Sequence, residues 1–300
     1  MGEDVTGAST ESNRRQIRFD PQTVARYLGL LGIRAGPPSL RGLKELVAAH
    51  LARVPFENVS KLLYKKRIGL ADIPPIRMYL DGIEKCHFGG TCYSNNYYFY
   101  CLLESLGYDI RLCSADMAIP DIHAVSMACV EGHEYLVDTG YAAPFLAPLP
   151  RDLETDHVVA LGRDRYVLRP QDANRCSRLE LHRNNILKHG YLAKPAAREI
   201  GDFKKAISES FRPDATFLNS FLLARFYPGR SVAIHNLTLI ESCGNSCSTR
   251  LLAGLDTAAA AIHQYFGIPE ALVAEAISDL KTMQDAWGDP FLGGRDRQFL

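Results

Sequence analysis

The stretch Phe88–Gly107, which reads FGGTCYSNNYYFYCLLESLG, decides the fold. Its two glycines let the backbone turn sharply, and a helical apolar pattern follows them from Tyr93 to Leu106. Cys92 stands between the glycines and this pattern, at the predicted start of the helix, and Gly107 closes the helix as a C-terminal cap. We therefore predict a central helix with a thiol at its N-terminus.

A thiol at this position is suited to nucleophilic chemistry. Free backbone N–H groups and the positive end of a helix dipole lower a thiol pKa, so the thiolate is available near neutral pH. A buried structural cysteine is the alternative, and the position of Cys92 alone does not decide between the two. The structural interpretation is favoured for Cys101, Cys113 and Cys129, several of which lie inside apolar runs.

Upstream of this stretch, the sequence predicts helices. Asp20 caps a helix that runs towards Gly32, and Ser39 caps a second helix that ends before Pro55. A further short helix is predicted over residues 76–83. The first hundred residues therefore favour a helical unit.

Downstream, the apolar period changes from helical to alternating. The pattern predicts strands over residues 110–117, 124–130 and 134–138. The later predicted elements are strand-like pieces at 158–160, 166–168 and 179–181, a strand-like run over 232–240, and helices over 258–266 and 270–287. The layout is a helical first part, a β-rich middle and an α/β end.

The residues Glu131-Gly132 are typical of a turn between two strands. If these two residues form a two-residue hairpin turn, His123 lies opposite Gly140, and Asp138 is the diagonal neighbour of His123 on the same face. A carboxylate bonded to one imidazole nitrogen fixes the tautomer and leaves the other nitrogen to accept a thiol proton. A strand-end histidine and a turn aspartate without a catalytic role are the alternative, which would be preferred if Cys92 were absent.

Composition limits the classes of function. The 300 residues are 47% hydrophobic, and 34 Lys+Arg balance 34 Asp+Glu, which excludes a protein held on nucleic acid by overall basic charge. No apolar run approaches the roughly 18 residues of a membrane span, and residues 1–15 do not resemble a secretory signal. Eight sparse cysteines suit a reducing cytoplasm, and their spacing predicts no metal site.

Together these motifs resemble the arylamine N-acetyltransferase family over about residues 20–268. The chain carries a Pro-Phe-Glu-Asn segment at 55–58, a Gly-Gly-x-Cys segment at 89–92, a histidine at a strand start and Asp-Thr-Gly-Tyr at 138–141. No single segment is decisive, but the four follow one another in the family's order.

The resemblance implies an α+β fold around a Cys-His-Asp core of the transglutaminase and papain type. It has an N-terminal helical domain, a central β-barrel and a C-terminal α/β lid. The implied divisions are a loosely ordered tail over 1–19, the helical domain with the nucleophile over 20–108, the β-barrel over 109–212 and the lid over 213–300.

The resemblance also implies a ping-pong reaction. Cys92 would take an acyl group, acetyl in the first instance, from a CoA thioester and pass it to an arylamine-type amine. His123 would act as base and then acid, with Asp138 orienting it, and acetyl-CoA would be a co-substrate rather than a permanently bound cofactor. The expected contact residues are Phe56, Tyr93, Tyr141 and Phe221 for the substrate and Gly140 for the acyl donor.

The chain departs from the family pattern beside the cysteine. Phe88 replaces the family's arginine, and Ser94 replaces an acidic residue. That arginine is expected to pair with the glutamate of the Pro-Phe-Glu-Asn segment, so we expect Glu57 to find another partner, with Lys85 as the candidate. The stretch between Cys92 and His123 is also shorter than is usual for the family, which predicts a more open cleft.

Three other functions stay open at this point. A natural-product amide synthase would use the same chemistry with a longer acyl chain, carried by CoA or an acyl carrier protein. A cysteine hydrolase would pass the acyl group to water instead of an amine. A binding protein that has kept the three residues without using them is the third alternative.

Overall fold

Helices fill the first part of the range that the computed structural model describes, residues 18–280. They are α1 (Pro21–Leu31), α2 (Leu40–Arg53), α3 (Val59–Ile68), α4 (Ile76–Cys86) and α5 (Cys92–Ser105), with the short strand β1 (Phe56–Glu57) between α2 and α3. The two predicted caps are confirmed. The Asp20 carboxylate accepts from the Thr23 N–H at 2.9 Å, and the Ser39 hydroxyl accepts from the Gly42 N–H at 3.1 Å. Helix α3 was not predicted.

Helix α5 forms the centre of the first apolar core. Its residues from Tyr93 to Glu104 are buried, apart from Tyr100. The helix packs against α1 on one side and against β2 and β3 on another. Burial on several sides fixes the position of its N-terminus, where Cys92 lies.

The middle of the chain forms an eight-stranded antiparallel sheet that curves into a nearly closed barrel. Its spatial order is β5-β4-β3-β2-β9-β8-β7-β6, and a second apolar cluster fills its inner face. The strands are β2 (Asp109–Asp116), β3 (His123–Val130), β4 (His133–Val137), β5 (Leu149–Pro150), β6 (His157–Leu161), β7 (Asp164–Leu168), β8 (Ser177–Arg183) and β9 (Ile186–Ala197). The long strand β9 was not predicted.

A segment of short helices, residues 200–219, follows the barrel, and we call it the strap. It contains a 3-10 turn (Ile200–Phe203), α6 (Lys204–Glu209) and α7 (Thr216–Asn219). Its aromatic side chains contact the helical part of the chain: the Phe203 ring lies 5.9 Å from Tyr93, and the Phe217 ring lies 5.7 Å from Phe56. We call residues 88–91, which precede Cys92, the cysteine loop. The strap therefore packs against Tyr93, which follows this loop closely in the chain, and Phe56, which pairs with Gly90 in it.

The last part of the described chain forms a second antiparallel sheet covered by two helices. Its order is β1-β10-β11-β12-β13, so Phe56 and Glu57 from the helical part pair with Ala224 and Leu223 at its edge. The elements are β10 (Leu222–Tyr227), β11 (Arg230–His235), β12 (Thr238–Cys243), β13 (Ser246–Leu251), α8 (Leu255–Phe266) and α9 (Glu270–Ile277).

Two predictions for this region were wrong. The run over 232–240 is not one strand but a hairpin, because Asn236 takes a left-handed conformation (φ 49°) and reverses the chain between β11 and β12. The last helix ends at Ile277 instead of continuing to 287, and residues from 281 onwards lie outside the described range. Among the helices of residues 18–280, none combines the length and apolar character needed to cross a membrane.

Candidate active site

Cys92 is the first residue of α5, as predicted, and its side chain is half-buried. The loop before it depends on glycine. A Cβ on Gly89 would lie 1.9 Å from the Pro55 carbonyl oxygen, so no other residue fits there without moving the backbone. The loop is also tied to β1, because the Glu57 N–H donates to the Gly90 carbonyl at 3.1 Å. These contacts hold the helix terminus, and with it the thiol.

His123 and Asp138 meet across the predicted hairpin. Strand β3 pairs with β4 in the register Val130↔His133, with Glu131 and Gly132 both at positive φ in a two-residue turn. This register confirms the prediction that His123 and Asp138 are diagonal neighbours. The His123 Nε2 atom lies 2.8 Å from an Asp138 carboxylate oxygen, and both side chains are almost fully buried.

Asn96 joins this pair to the cysteine helix. It lies on α5 one turn after Cys92, and its amide Nδ2 donates to the Asp138 carboxylate at 2.9 Å and to the Ala124 carbonyl at 2.6 Å. Its Oδ1 accepts from the Thr139 N–H at 2.7 Å. One amide thus fixes the helix that carries the thiol to the strands that carry the imidazole and carboxylate.

The environment favours charged forms of the His–Asp pair. Burial acts to lower the pKa of His123, but the Asp138 charge and hydrogen bond, with a hydrogen bond and charge interaction from Cys92, raise it to about 10. Burial likewise acts to raise the pKa of Asp138, yet His123, Asn96 and the Gly140 N–H together lower it. Because Nε2 faces the carboxylate, Nδ1 is the nitrogen left for the thiol.

Gly140 lies directly against the nucleophile. A Cβ at this position would approach the Cys92 Cα to 2.6 Å and the Asn96 Nδ2 to 2.8 Å. Its N–H also donates to the Asp138 carboxylate at 3.0 Å. The structure therefore brings the predicted donor-contact residue next to the cysteine, where only a glycine fits.

Glu57 does not pair with Lys85, so that prediction was wrong. Lys85 lies 3.5 Å from Asp81 on its own helix. The fully buried Glu57 carboxylate instead accepts from the Ser60 N–H at 2.9 Å, the Ser60 hydroxyl at 2.5 Å and the Gly89 N–H at 3.1 Å. Burial raises the pKa of Glu57, although these hydrogen bonds act to lower it.

Phe88, in the place of the family's arginine, is a core residue. Its side chain is buried, and its ring meets the Tyr64 ring edge-on, with the centroids 6.0 Å apart. Ser94 is also buried and packs against the Gly90 backbone. Both replacements therefore lie in packed surroundings.

The predicted substrate residues fall in different surroundings. Phe56 and Tyr93 face the strap rings described above, and the Tyr93 hydroxyl donates to the Ile122 carbonyl at 2.8 Å. The Tyr141 ring centroid lies 5.8 Å from that of His123, and its hydroxyl lies 2.7 Å from His189 Nδ1. Phe221 is fully buried in the apolar core of the lid, so its contact with substrate stays a prediction.

Sequence reasoning missed the strap residues Phe203 and Phe217 and the barrel residues His189 and Tyr191. The centroid of the Tyr191 ring lies 5.1 Å from that of His123 and 5.0 Å from that of Tyr141, so Tyr191 and Tyr141 both pack against the imidazole. The alternation of Leu187, His189 and Tyr191 was the available signal for strand β9.

Comparison with known proteins places this fold. A structure of the Mycobacterium marinum arylamine N-acetyltransferase in complex with CoA superposes with a TM-score of 0.72 at 22% identity, covering 86% of this chain and 99% of that one. The Mycolicibacterium smegmatis arylamine N-acetyltransferase is 31% identical over 154 residues, 47% of this chain and 54% of the relative. Proansamycin X synthase of Amycolatopsis mediterranei is 29% identical over 141 residues, 44% and 52% of the two chains.

The fold is that of the arylamine N-acetyltransferases, a class of acyl-transferring enzymes. A family model described as N-acetyltransferase matches residues 39–273, and the chain therefore belongs to the arylamine N-acetyltransferase family. The chain spans about half the length of the two curated relatives that it matches by sequence.

Proposed function

We propose that the protein moves an acyl group, acetyl in the first instance, from a CoA thioester to an arylamine-type amine through an acyl-enzyme on Cys92. One observation carries this proposal. A buried His123–Asp138 pair lies beside a half-buried thiol at the N-terminus of α5, and Asn96, on the same helix as the thiol, is hydrogen-bonded to Asp138. Family membership and the neighbouring CoA complex support the choice of acetyl-CoA as donor.

In the first half-reaction, His123 holds the proton of the Cys92 thiol on Nδ1. The thiolate attacks the thioester carbonyl, and the bond between this carbon and the CoA sulfur breaks as the new bond to Cys92 forms. The departing CoA thiolate takes the proton from His123. Asp138 stabilises the imidazolium and keeps Nδ1 aimed at the sulfur, since it binds the opposite ring nitrogen.

In the second half-reaction, the amine nitrogen attacks the acyl-Cys92 carbonyl. His123 accepts a proton from this nitrogen, the bond between the carbonyl and the Cys92 sulfur breaks, and the thiolate beside the imidazolium is restored. An aromatic amine suits this step because aromatic rings, among them Phe56, Tyr93 and Tyr141, surround the cysteine loop and His123.

The size of the acyl group separates this proposal from the amide synthase alternative. The amide synthase would use a longer acyl chain delivered by CoA or a carrier protein, and the sequence match to a synthase, proansamycin X synthase, favours it. The strap favours a small acyl group, because its phenylalanines already pack on Phe56 and Tyr93. We therefore keep acetyl as the first choice and the longer chain as the second.

We also place the protein in a reducing compartment such as the cytoplasm. All eight cysteines are free thiols, and several lie in packed cores where they behave as small apolar residues. A reducing environment would keep Cys92 available as a thiol.

Intact-protein mass spectrometry after mixing with acetyl-CoA tests the proposal. We expect a single acetyl adduct on the wild type, none on Cys92→Ala, and discharge of the adduct by an aromatic amine. An adduct only from a longer acyl thioester would favour the amide synthase, and discharge by water as fast as by amine would favour the hydrolase. If no donor gave an adduct, the proposal would be wrong.

A further inference from the structure

A cavity of about 450 Å³ lies between α3, α4 and α9, and the proposed mechanism does not use it. This volume falls within the roughly 300–1,000 Å³ that is typical of small-molecule sites. Cys92, His123 and Asp138 are not among the described residues that line it. A molecule held in this cavity would therefore lie outside the site that we propose for acyl transfer.

Much of the cavity lining is apolar or aromatic, through Leu63, Tyr64, Met78, Phe88 and Leu272. Leu63 and Phe88 are buried in the apolar core that α3 shares with α8 and α9, and Tyr64 and Leu272 pack against that core while partly exposed. The rings of Tyr64 and Phe88 offer edges and faces to a further aromatic ring. A ligand with an aromatic body would therefore bury its ring against matching surface here.

The charged part of the lining is mainly cationic. Arg67, Arg77 and Lys85 line the cavity together with one carboxylate, that of Asp81. Arg67 is already neutralised, because its guanidinium donates to the Glu275 carboxylate at 2.7 and 2.6 Å. This leaves Arg77 and Lys85 as the cations available to a ligand.

Of these two cations, Arg77 is the one without a counter-ion. The Asp81 carboxylate accepts from Arg26 at 2.6 Å and lies 3.5 Å from the Lys85 ammonium, so its charge is shared between them. The Arg77 guanidinium forms no hydrogen bond or ion pair with any residue of the described range 18–280. A guanidinium in this state suits a carboxylate, which it binds through two parallel N–H groups.

We infer that this cavity binds a small aromatic carboxylate, with the ring on the apolar lining and the carboxylate on Arg77. One unpaired cation beside an apolar wall matches a ligand with one negative charge and an apolar body. The inference goes beyond the proposed function, because it requires neither an acyl-enzyme nor any step at Cys92.

Cys86 provides a reporter within the cavity. Its thiol is free, half-buried and part of the lining. Burial raises the pKa of this thiol, whereas the charges of Arg67 and Lys85 act to lower it. A bound aromatic carboxylate would cover the thiol and oppose the effect of these cations, so it should slow alkylation of Cys86 for both reasons.

Cys243 is the matched control, since it is exposed on β12 and is not part of the cavity lining. The test measures alkylation of both thiols by iodoacetamide in the full chain, at about pH 8.5, by peptide mass mapping. We expect naphthoate at saturation to slow alkylation of Cys86 at least about fivefold and to leave Cys243 within about twofold. Naphthamide, which has the same ring without the charge, should need at least about fivefold higher concentration for the same protection.

Arg77→Met tests the assignment of the carboxylate. It should raise the naphthoate concentration for half-protection about five- to twentyfold, between the values for an exposed ion pair and for a hydrogen bond to a charged group. Arg77→Lys keeps the charge and should lose less. Arg178→Met removes an exposed arginine of β8 that does not line the cavity, and it should leave the concentration within about twofold of the wild type.

Absence of Cys86 protection in the wild type would overturn the inference, and so would protection of Cys92 alone, which would place naphthoate in the active site. Equal protection by naphthamide, or an unchanged half-protection concentration in Arg77→Met, would show that the cavity does not select a carboxylate, and the inference would again be wrong. None of these outcomes depends on acylation of Cys92, so the proposed function is tested separately by the acetyl adduct.

Discussion

Two buried carboxylates lie close to the residues around Cys92, and their surroundings shift their pKa values in opposite directions. Asp138 faces the His123 imidazole, the Asn96 amide and the Gly140 N–H, and its pKa is lowered. Glu57 faces two backbone N–H groups and a hydroxyl, all neutral, and burial raises its pKa. Both side chains are almost fully removed from water.

The difference indicates which carboxylate supports chemistry and which supports structure. In the proposed mechanism, a charge beside His123 changes the protonation state of the reacting imidazole, and Asp138 acts on the thiol through it. Glu57 holds the first turn of α3 and the Gly89 N–H, so it fixes the loop on which Cys92 stands. The following variants separate these two roles.

The largest effect is expected from Asp138→Asn. An amide is nearly the same size but carries no charge, so it cannot stabilise the imidazolium or hold the same tautomer of His123. We expect the rate of Cys92 acylation by acetyl-CoA to fall by about 10³–10⁴, as for the equivalent change in serine protease triads. This rate is measured in single-turnover reactions that are quenched with acid at set times and analysed by intact-protein mass spectrometry.

Circular dichroism and the unfolding midpoint of Asp138→Asn serve as the control for folding. A variant that folds like the wild type and keeps more than a tenth of its acylation rate would contradict the role of Asp138. It would also remove the contrast with Glu57, because neither carboxylate would then act on the chemistry.

Glu57→Gln should show the opposite pattern, with a loss of stability and little loss of rate. The carboxylate accepts from three donors, and a glutamine amide would turn one N–H towards the Ser60 N–H or the Gly89 N–H. We expect the free energy of unfolding in urea to fall by about 1–3 kcal/mol. A hundredfold loss of acylation rate without loss of stability would show instead that Glu57 acts on Cys92.

The sequence predicted the partner of Asp138 but not the partners of Glu57. The hairpin register followed from local rules, because a two-residue turn between alternating strands leaves one pairing, and that pairing brought His123 to Asp138. The partners of Glu57 did not follow, because we looked for a charge to replace the missing arginine. Two of the three donors belong to Ser60, at the start of α3, a helix that was not predicted, and the third is the Gly89 N–H.

The strap could not be predicted from the sequence for a different reason. Its helices are short, so the apolar pattern has too few turns to show a period, and its phenylalanines meet Phe56 and Tyr93 only through tertiary packing. By contrast, Asn236 was a visible signal: an asparagine within an apolar run tolerates positive φ and marks a turn.

The stabilities of the wild type and Asp138→Asn should also depend differently on pH. The folded-state pKa of His123, about 10, lies above its ordinary value of 6.5, so its contribution to stability is complete below pH 6.5 and is lost as pH rises through 10. Asp138→Asn removes the main cause of this shift. The difference in unfolding free energy between wild type and variant should therefore shrink between pH 6.5 and 10, by about 1.4 kcal/mol for each pH unit.

Urea unfolding at several pH values measures this difference. Titration of groups that do not contact Asp138 or His123 occurs in both proteins and cancels in the subtraction to first order. A difference that stays constant over the whole interval would mean that Asp138 does not hold the His123 proton, and the assignment of an imidazolium–carboxylate pair would be wrong.

The smallest effect is expected from Tyr93→Phe, which changes a neighbour of the thiol but neither carboxylate. It removes the hydrogen bond from the Tyr93 hydroxyl to the carbonyl of Ile122, the residue before His123. We expect a stability loss of about 0.5–1.5 kcal/mol and an acylation rate within about threefold of the wild type. Tyr98→Phe is the matched control, since Tyr98 lies on the same helix and donates to the Pro74 carbonyl away from the imidazole. If Tyr93→Phe slowed acylation a hundredfold while Tyr98→Phe did not, the position of His123 would depend on this hydroxyl as well as on Asp138.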